Sequence, residues 1–154
     1  MFVGTKAFFE EHVPLDQALK LTVDGRRVDL PPDVFGLMIL NINSYAGGAD
    51  LYNSNEDKDN GSSGFRPQCF YDGKIEVVGV SGTFNLGAAA VGLSEGIRIA
   101  QGSELAIEFN DNRAHTGLWY QLDGEPASDP LIAPSVIRIR SLFEEQPTRV
   151  LCKE

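Results

Sequence analysis

The chemistry-bearing residues of this 154-residue chain are few, and its best-placed carboxylates stand next to glycine. The stretch Leu118-Trp119-Tyr120-Gln121-Leu122-Asp123-Gly124-Glu125-Pro126 is an apolar, strand-like run ending in an Asp-Gly turn signal with a second acid behind it. Two carboxylates, Asp123 and Glu125, thus sit on one short segment stiffened by Pro126, whose ring is expected to end ladder pairing there. Such a pair suits a general base, a metal-facing couple, or nothing more than a hairpin tip. Asp24-Gly25 and Asp72-Gly73 also lie between strand-like runs, but neither is followed at once by an acid and a proline.

The other candidates are weaker. Asn43 to Asp50 is a glycine-containing loop that could approach a phosphate closely, yet no lysine and no helix follow in the nucleotide-binding arrangement. Glu56, Asp57 and Asp59 lie in a polar stretch between Asn53 and Gly64, with the wrong spacing and no closing glutamate for a calcium loop. His12 and His115 have no second histidine or nucleophilic serine placed near them by spacing, and both read as surface residues. Cys69 and Cys152 are far apart without metal-ligand spacing, and a reduced intracellular setting is the simplest reading.

Composition bounds what can position these groups. A chain of this length makes one domain, and 42% hydrophobic with 23% charged residues fits a globular protein. The 16 glycines and 8 prolines supply the turns that an all-β architecture needs. A formal net charge of −9 repels phosphate backbones and anionic headgroups, so nucleic acid is not an expected partner and membrane contact needs help from elsewhere. No apolar run approaches the ~20 residues of a membrane-spanning helix, and the first residues lack the pattern of a secretory signal.

Along the chain, Thr5 to Val13 reads as a short helix closed by Pro14. Leu19, Leu21 and Val23 alternate with polar residues, and after Asp24-Gly25 the alternation resumes at Val28 and Leu30, predicting a hairpin. Phe35 to Ile42 is nearly all apolar, as in a strand covered on both faces or at a sheet centre. Phe70 to Val80 reads as an aromatic entry, a tight turn and an alternating strand. Ser81 to Gly92 has no decisive period. Ile97 to Gln101 and Leu105 to Phe109 read as two strands paired through Gly102-Ser103, and Val136 to Arg140 as a last strand before a tail at 144–154. Seven to nine strands with one or two short helices make the expected fold mainly β, an antiparallel β-sandwich or partly closed barrel.

Four of these stretches resemble one family. Leu40-Asn41-Ile42-Asn43-Ser44-Tyr45-Ala46-Gly47-Gly48-Ala49-Asp50-Leu51-Tyr52, Asp72-Gly73-Lys74-Ile75-Glu76-Val77-Val78-Gly79, Arg98-Ile99-Ala100-Gln101-Gly102 and Gln121-Leu122-Asp123-Gly124-Glu125-Pro126 are similar, in order and spacing, to the accessory domain of eukaryotic diacylglycerol kinases. The resemblance implies a β-sandwich over residues 1–143, a fragment lacking its first strand and the preceding ATP-binding α/β domain of a larger enzyme. It implies transfer of the γ-phosphate of ATP to diacylglycerol with Mg²⁺, giving phosphatidic acid, in a cytoplasmic protein attached only peripherally to membranes. Glu125 matches the family's proton acceptor and Asp123 its neighbouring acid. Asp72 looks like the carboxylate of a Mg²⁺ site that the carbonyls of Cys69 and Lys74 would complete. The chain departs from the family where Ala127 replaces a frequent tryptophan and Asn85 a frequent histidine. A non-catalytic interaction module and a sphingosine- or ceramide-type lipid kinase are the alternatives.

Overall fold

A computed structural model describes residues 2–4, 15–45, 48–52, 64–81, 96–109 and 118–142. The helix expected over Thr5 to Val13, the acids Glu56, Asp57 and Asp59, the stretch from Gly82 to Gly92 with Asn85, both histidines, Cys152 and the tail at 144–154 lie outside the described residues.

Alternation of apolar and polar residues builds the first hairpin. After a single turn of helix α1 (Leu15–Ala18), strand β2 (Leu19–Val23) buries every second residue and pairs antiparallel with β3 (Arg26–Val28) across Asp24-Gly25. Both turn residues have positive φ, 47° and 74°, the left-handed pair that a two-residue turn between twisted strands demands. Strand β4 (Val34–Leu40) is buried along nearly its whole length, as its apolar run predicts. Strand β5 (Ile75–Ser81) is a correction: instead of alternating, it is buried from Ile75 through Val80.

Both strands are hidden because they have a layer on each side. Leu37, Ile39, Ile75 and Val77 face the sandwich interior, where they join Leu21, Leu105, Ile107 and Phe109. Met38, Leu40, Val78 and Val80 face outward and are covered by Ala49, Leu51 and Tyr52, with Tyr45 and Phe65 packed alongside. Each buried large aliphatic side chain stabilises by roughly 1.5–3 kcal/mol, so covering the second face is worthwhile even with irregular loop residues.

Two antiparallel sheets result. The first has six strands in the order β6 (Ile97–Gly102), β5, β4, β1 (Phe2–Gly4), β8 (Trp119–Leu122), β9 (Glu125–Pro126). The second has four, in the order β10 (Ser135–Arg140), β7 (Glu104–Phe109), β2, β3. The fold is the expected mainly β, antiparallel arrangement, in two open sheets rather than a closed barrel. Strand β1, which the sequence pattern does not signal, fills the centre of the larger sheet between β4 and β8.

The expected hairpin across Gly102-Ser103 is not formed. Strand β6 pairs with β5 in one sheet, whereas β7 pairs with β2 and β10 in the other, so these residues are a corner where the chain changes sheets. Asp24 holds that corner. Its Oδ1 accepts hydrogen bonds from the N–H of Ser103 (2.9 Å), the Ser103 hydroxyl (3.0 Å) and the N–H of Glu104 (2.9 Å), while its own N–H donates to the Glu104 carbonyl at 2.8 Å. Gly102 lies so close that a Cβ there would stand 2.4 Å from Val23 Cγ1 and 2.8 Å from Asp24 Oδ2. A paired hairpin would leave these donors to water; the carboxylate turns them into a clamp between the sheets.

A second polar device pins the outer cover. Glu76, within β5, is fully buried and accepts from Gln68 Nε2 at 3.1 Å and Gln101 Nε2 at 3.0 Å. Gln68 Nε2 also donates to the Ile42 carbonyl at 2.7 Å, and Gln101 makes a two-pronged contact with the backbone of Arg66. Tyr52 donates its hydroxyl proton to the Arg66 carbonyl at 3.3 Å, and the Arg98 guanidinium lies over the rings of Tyr52 and Phe65. Burial pushes the Glu76 carboxyl above its ordinary value of 4.5, and nearby Asp72 adds to the shift; the two amide hydrogen bonds only partly offset them.

Burial alone would raise Asp24, but the backbone N–H of Glu104, then the Ser103 hydroxyl and N–H and the charge of Lys74, hold it below its ordinary 3.8. Asp24→Asn keeps tolerance for positive φ and an acceptor, and should cost about 1 kcal/mol at neutral pH by urea unfolding, with Asp24→Ala costing about 2 kcal/mol. A depressed carboxylate stabilises fully above its unfolded value, so the deficit of the Asn variant should shrink as pH falls through the folded value. Glu76 has the opposite sign. The folded state holds its proton more tightly, so stability should fall as pH rises from 4.5 through the raised value, a decline that Glu76→Gln removes. Glu76→Ala should cost about 2–4 kcal/mol, since it leaves two amides without their acceptor inside the cover.

Candidate functional site

Strand register decides which of the chemical residues meet. Strands β4 and β8 both run toward the same end of the larger sheet, since β1 lies antiparallel between them with Phe2 opposite Met38 on one side and Gln121 on the other. Strand β5 starts at that end, with Glu76 opposite Leu40, and β6 finishes there, with Gly102 opposite Ile75. One end of one sheet therefore gathers the exit of β4 leading to Tyr45, the Asp72 turn, the Gln101-Gly102 corner and the tip at Asp123 to Glu125. These stretches are scattered over more than 80 positions of sequence, and each belongs to one of the four motifs singled out above.

The acidic tip is a two-residue hairpin. Asp123 and Gly124 have φ of 47° and 89°, and Leu122 faces Glu125 across the turn. Pro126 is the last paired residue of the ladder, as expected. It stands opposite Gln121 in a pair that exchanges no hydrogen bonds, and the next residue, Ala127, donates to the Tyr120 carbonyl at 3.0 Å. Its missing N–H therefore leaves no partner on β8 unsatisfied, and its ring blunts the open edge of the outermost strand. Leu122 and Glu125 share one face of the hairpin, Gln121 and Pro126 the other.

That second face is braced. Gln121 Nε2 donates to the Tyr45 hydroxyl at 3.1 Å, linking the hairpin to a tight turn in which Tyr45 and Ala49 exchange backbone hydrogen bonds at 2.9 Å. Gly48, at φ 109°, lies within that turn; Gly47 lies outside the described residues. Asp123 and Glu125 are both exposed, at the margin of the sheet rather than in its core. A carboxylate so placed can meet a substrate only if something else supplies the opposite wall.

The Asp72 turn is a separate feature of the same end. Asp72 Oδ1 accepts from the Lys74 N–H at 2.9 Å, and the Asp72 N–H donates to the Cys69 carbonyl at 3.5 Å. Asp72, Cys69 and Lys74 are thus drawn into one tight loop, all half-buried. Strand β5 is three strands from β8, a lateral separation of about 14 Å, so one ion could not be shared with the acidic hairpin. Among the described residues no three His, Cys, Asp or Glu side chains converge as a metal cluster. A single carboxylate with neighbouring carbonyls is still compatible with Mg²⁺, which keeps most of its waters.

Three contributors at this end escape a sequence reading: Tyr45 as a brace, Gln101 as a link between layers, and Glu76 as a buried acid. Only Glu76 leaves a signal, a carboxylate inside an apolar strand run.

The family model of the diacylglycerol kinase accessory domain matches residues 1–126. Diacylglycerol kinase 1 of Arabidopsis thaliana is 40% identical over 108 residues, 70% of this chain and 14% of that protein. Diacylglycerol kinase theta of Homo sapiens is 38% identical over 112 residues, 73% of this chain and 11% of that protein. Diacylglycerol kinase kappa of Homo sapiens is 30% identical over 139 residues, 90% of this chain and 10% of that protein. The chain spans about a tenth to a seventh of the length of these relatives, and no solved structure matches it. Its mainly β sandwich and the family match over most of its length lead to one conclusion: the chain belongs to the diacylglycerol kinase accessory domain family.

Proposed function

We propose that this domain is the accessory half of an ATP-dependent diacylglycerol kinase, presenting its acidic hairpin to a nucleotide held by an α/β domain elsewhere in a longer polypeptide. The observation that carries the reading is the gathering of all four family-like motifs at one end of the larger sheet, with the carboxylates of Asp123 and Glu125 exposed there. The names of the relatives support diacylglycerol, rather than sphingosine or ceramide, as the lipid alcohol.

In this reading Glu125 is the proton acceptor. The lipid hydroxyl oxygen attacks the γ-phosphorus of ATP, the bond from that phosphorus to the β-phosphate bridging oxygen breaks, ADP leaves, and the hydroxyl proton passes to the Glu125 carboxylate. Asp123, at the turn, adds negative charge on the side where the nucleotide's metal would lie. Bound Mg²⁺ supplies neutralisation of charge on the phosphate oxygens. Gln121 and Tyr45 keep the hairpin from swinging on its single neighbouring strand, and the opposing domain excludes water from the exposed acids. Asp72 with the carbonyls of Cys69 and Lys74 would hold a second Mg²⁺, whose charge would stiffen the entry to β5.

In the full-length parent, Glu125→Gln should lower turnover by about 10²-fold or more while leaving the unfolding transition in place. Unchanged turnover would leave the domain as a non-catalytic interaction module. For the Asp72 turn the readout is stability: millimolar Mg²⁺ should raise the melting temperature of the 154-residue chain, as any ligand that binds only the folded state does, and Asp72→Asn should abolish that rise. A rise that persists in the variant would place the ion elsewhere.

A further inference from the structure

The segment that leaves β4 must cross a gap before it can support the acidic hairpin. Leu40 is the last residue of β4 paired with β5, opposite Glu76, and Tyr45 opens the tight turn that Ala49 closes. Asn41 to Ser44 lie between them and are all exposed, so side-chain packing does not fix their path. Yet at the far end of this span the Tyr45 hydroxyl accepts the Gln121 hydrogen bond, at 3.1 Å, that braces the hairpin. An error in the path would pass to Glu125.

Gln68 fixes that path. Its side chain is buried, and its Nε2 donates both to the Ile42 carbonyl at 2.7 Å and to Glu76 Oε2 at 3.1 Å. The amide cannot turn over, because reversal would set its oxygen against a carbonyl and a carboxylate at once. Glu76 is held from its other side, where Oε1 accepts from Gln101 Nε2 at 3.0 Å. Gln101 is locked in turn, since it accepts from the Arg66 N–H and donates to the Arg66 carbonyl. One orientation of each group satisfies all the others, and its outcome is a fixed Ile42 backbone.

We propose that Gln68, set by Glu76 behind it, is a positioning residue for Glu125. It pins the Ile42 backbone, the pinned segment sets the Tyr45 hydroxyl, and the hydroxyl sets the Gln121 side of the hairpin. The inference rests on Glu125 being the proton acceptor. A residue that only supported the outer cover would leave a different signature: it would weaken folding and leave the turnover of folded enzyme as it is. Misplacing a general base lowers turnover instead, while nucleotide binding by the opposing domain is unaffected.

Kinetics of the full-length parent, below its melting transition, test the proposal. Gln68→Met keeps length and bulk without a donor, and should lower kcat about tenfold with the KM for ATP held within about twofold. Gln68→Asn, an amide one methylene too short to reach both acceptors, should act in the same direction. Tyr45→Phe should lower kcat similarly, and the double variant with Gln68→Met should lose no more than the larger single loss, because both cut one line of contacts. In a Glu125→Gln background, Gln68→Met should leave the residual turnover nearly unchanged, there being no base left to misplace. Val80→Ala thins the same cover at the opposite end of β5 and should leave kcat as it is. The proposal is overturned by an unchanged kcat in folded Gln68 variants, by losses that multiply with Tyr45→Phe or persist in full without the Glu125 carboxylate, or by an equal loss in Val80→Ala. Unaltered turnover in Glu125→Gln alone is a separate failure, that of the proton-acceptor reading, and takes the proposal with it.

Discussion

The rest of the structure depends on hiding β4 and β5 from water on both faces. An antiparallel sandwich usually needs only its inner faces apolar, but here Met38, Leu40, Val78 and Val80 face away from the second sheet and still lie buried. Their cover is not a third sheet; it is loop residues from Ala49 to Tyr52 and around Phe65, whose backbone groups have few ladder partners. Polar anchors must supply what regular pairing does not. Glu76 serves that purpose from inside β5, gripping Gln68 and Gln101, which in turn hold the backbone at Ile42 and Arg66. A buried carboxylate is a costly anchor, and its raised affinity for a proton records that cost.

The same constraint explains where the acidic hairpin sits. With β4 and β5 enclosed, the exposed chemistry must lie at the sheet's ends or edges. Strands β8 and β9 form the edge farthest from β6, where neighbours thin to one, and there Asp123 and Glu125 stand in solvent. The Tyr45 bridge ties this edge back to the enclosed strands, so the tip is both accessible and fixed. Catalytic groups need that combination, because a floppy carboxylate loses most of the advantage of being near its target.

How much of this was legible in the sequence varied with the range of the cause. The β2–β3 hairpin, the apolar run of β4 and the turn at Asp123-Gly124 are local events, decided by neighbours within a few positions, and the sequence signals each. Strands β1 and β9 have three and two residues, too short for any period to register, and exist because longer partners pair with them. The corner at Gly102-Ser103 looks like a hairpin because the residue that makes it a corner, Asp24, lies 79 positions away from Ser103. Strand β5 looks alternating for a similar reason, since its outer cover comes from segments on either side in sequence. The convergence of four motifs at one sheet end could not be read from order and spacing at all; it is a property of register.

Glu76 and Glu125 show how burial, rather than residue type, separates a structural acid from one open to chemistry. Both are glutamates in strands of the same sheet, near the same end, within motifs that resemble one family. Glu76 has both oxygens engaged by amide donors and no exposure, so no substrate proton can reach it without breaking the layer it supports. Glu125 is exposed on a hairpin whose turn, brace and proline all restrict its backbone, so a substrate could approach it while its position stays set. Exchanging their surroundings would exchange their uses: a carboxylate freed at position 76 would release the outer cover, and one enclosed at position 125 would have no access to an incoming hydroxyl. The fold thus leaves Glu125, and not Glu76, open to the role proposed for it.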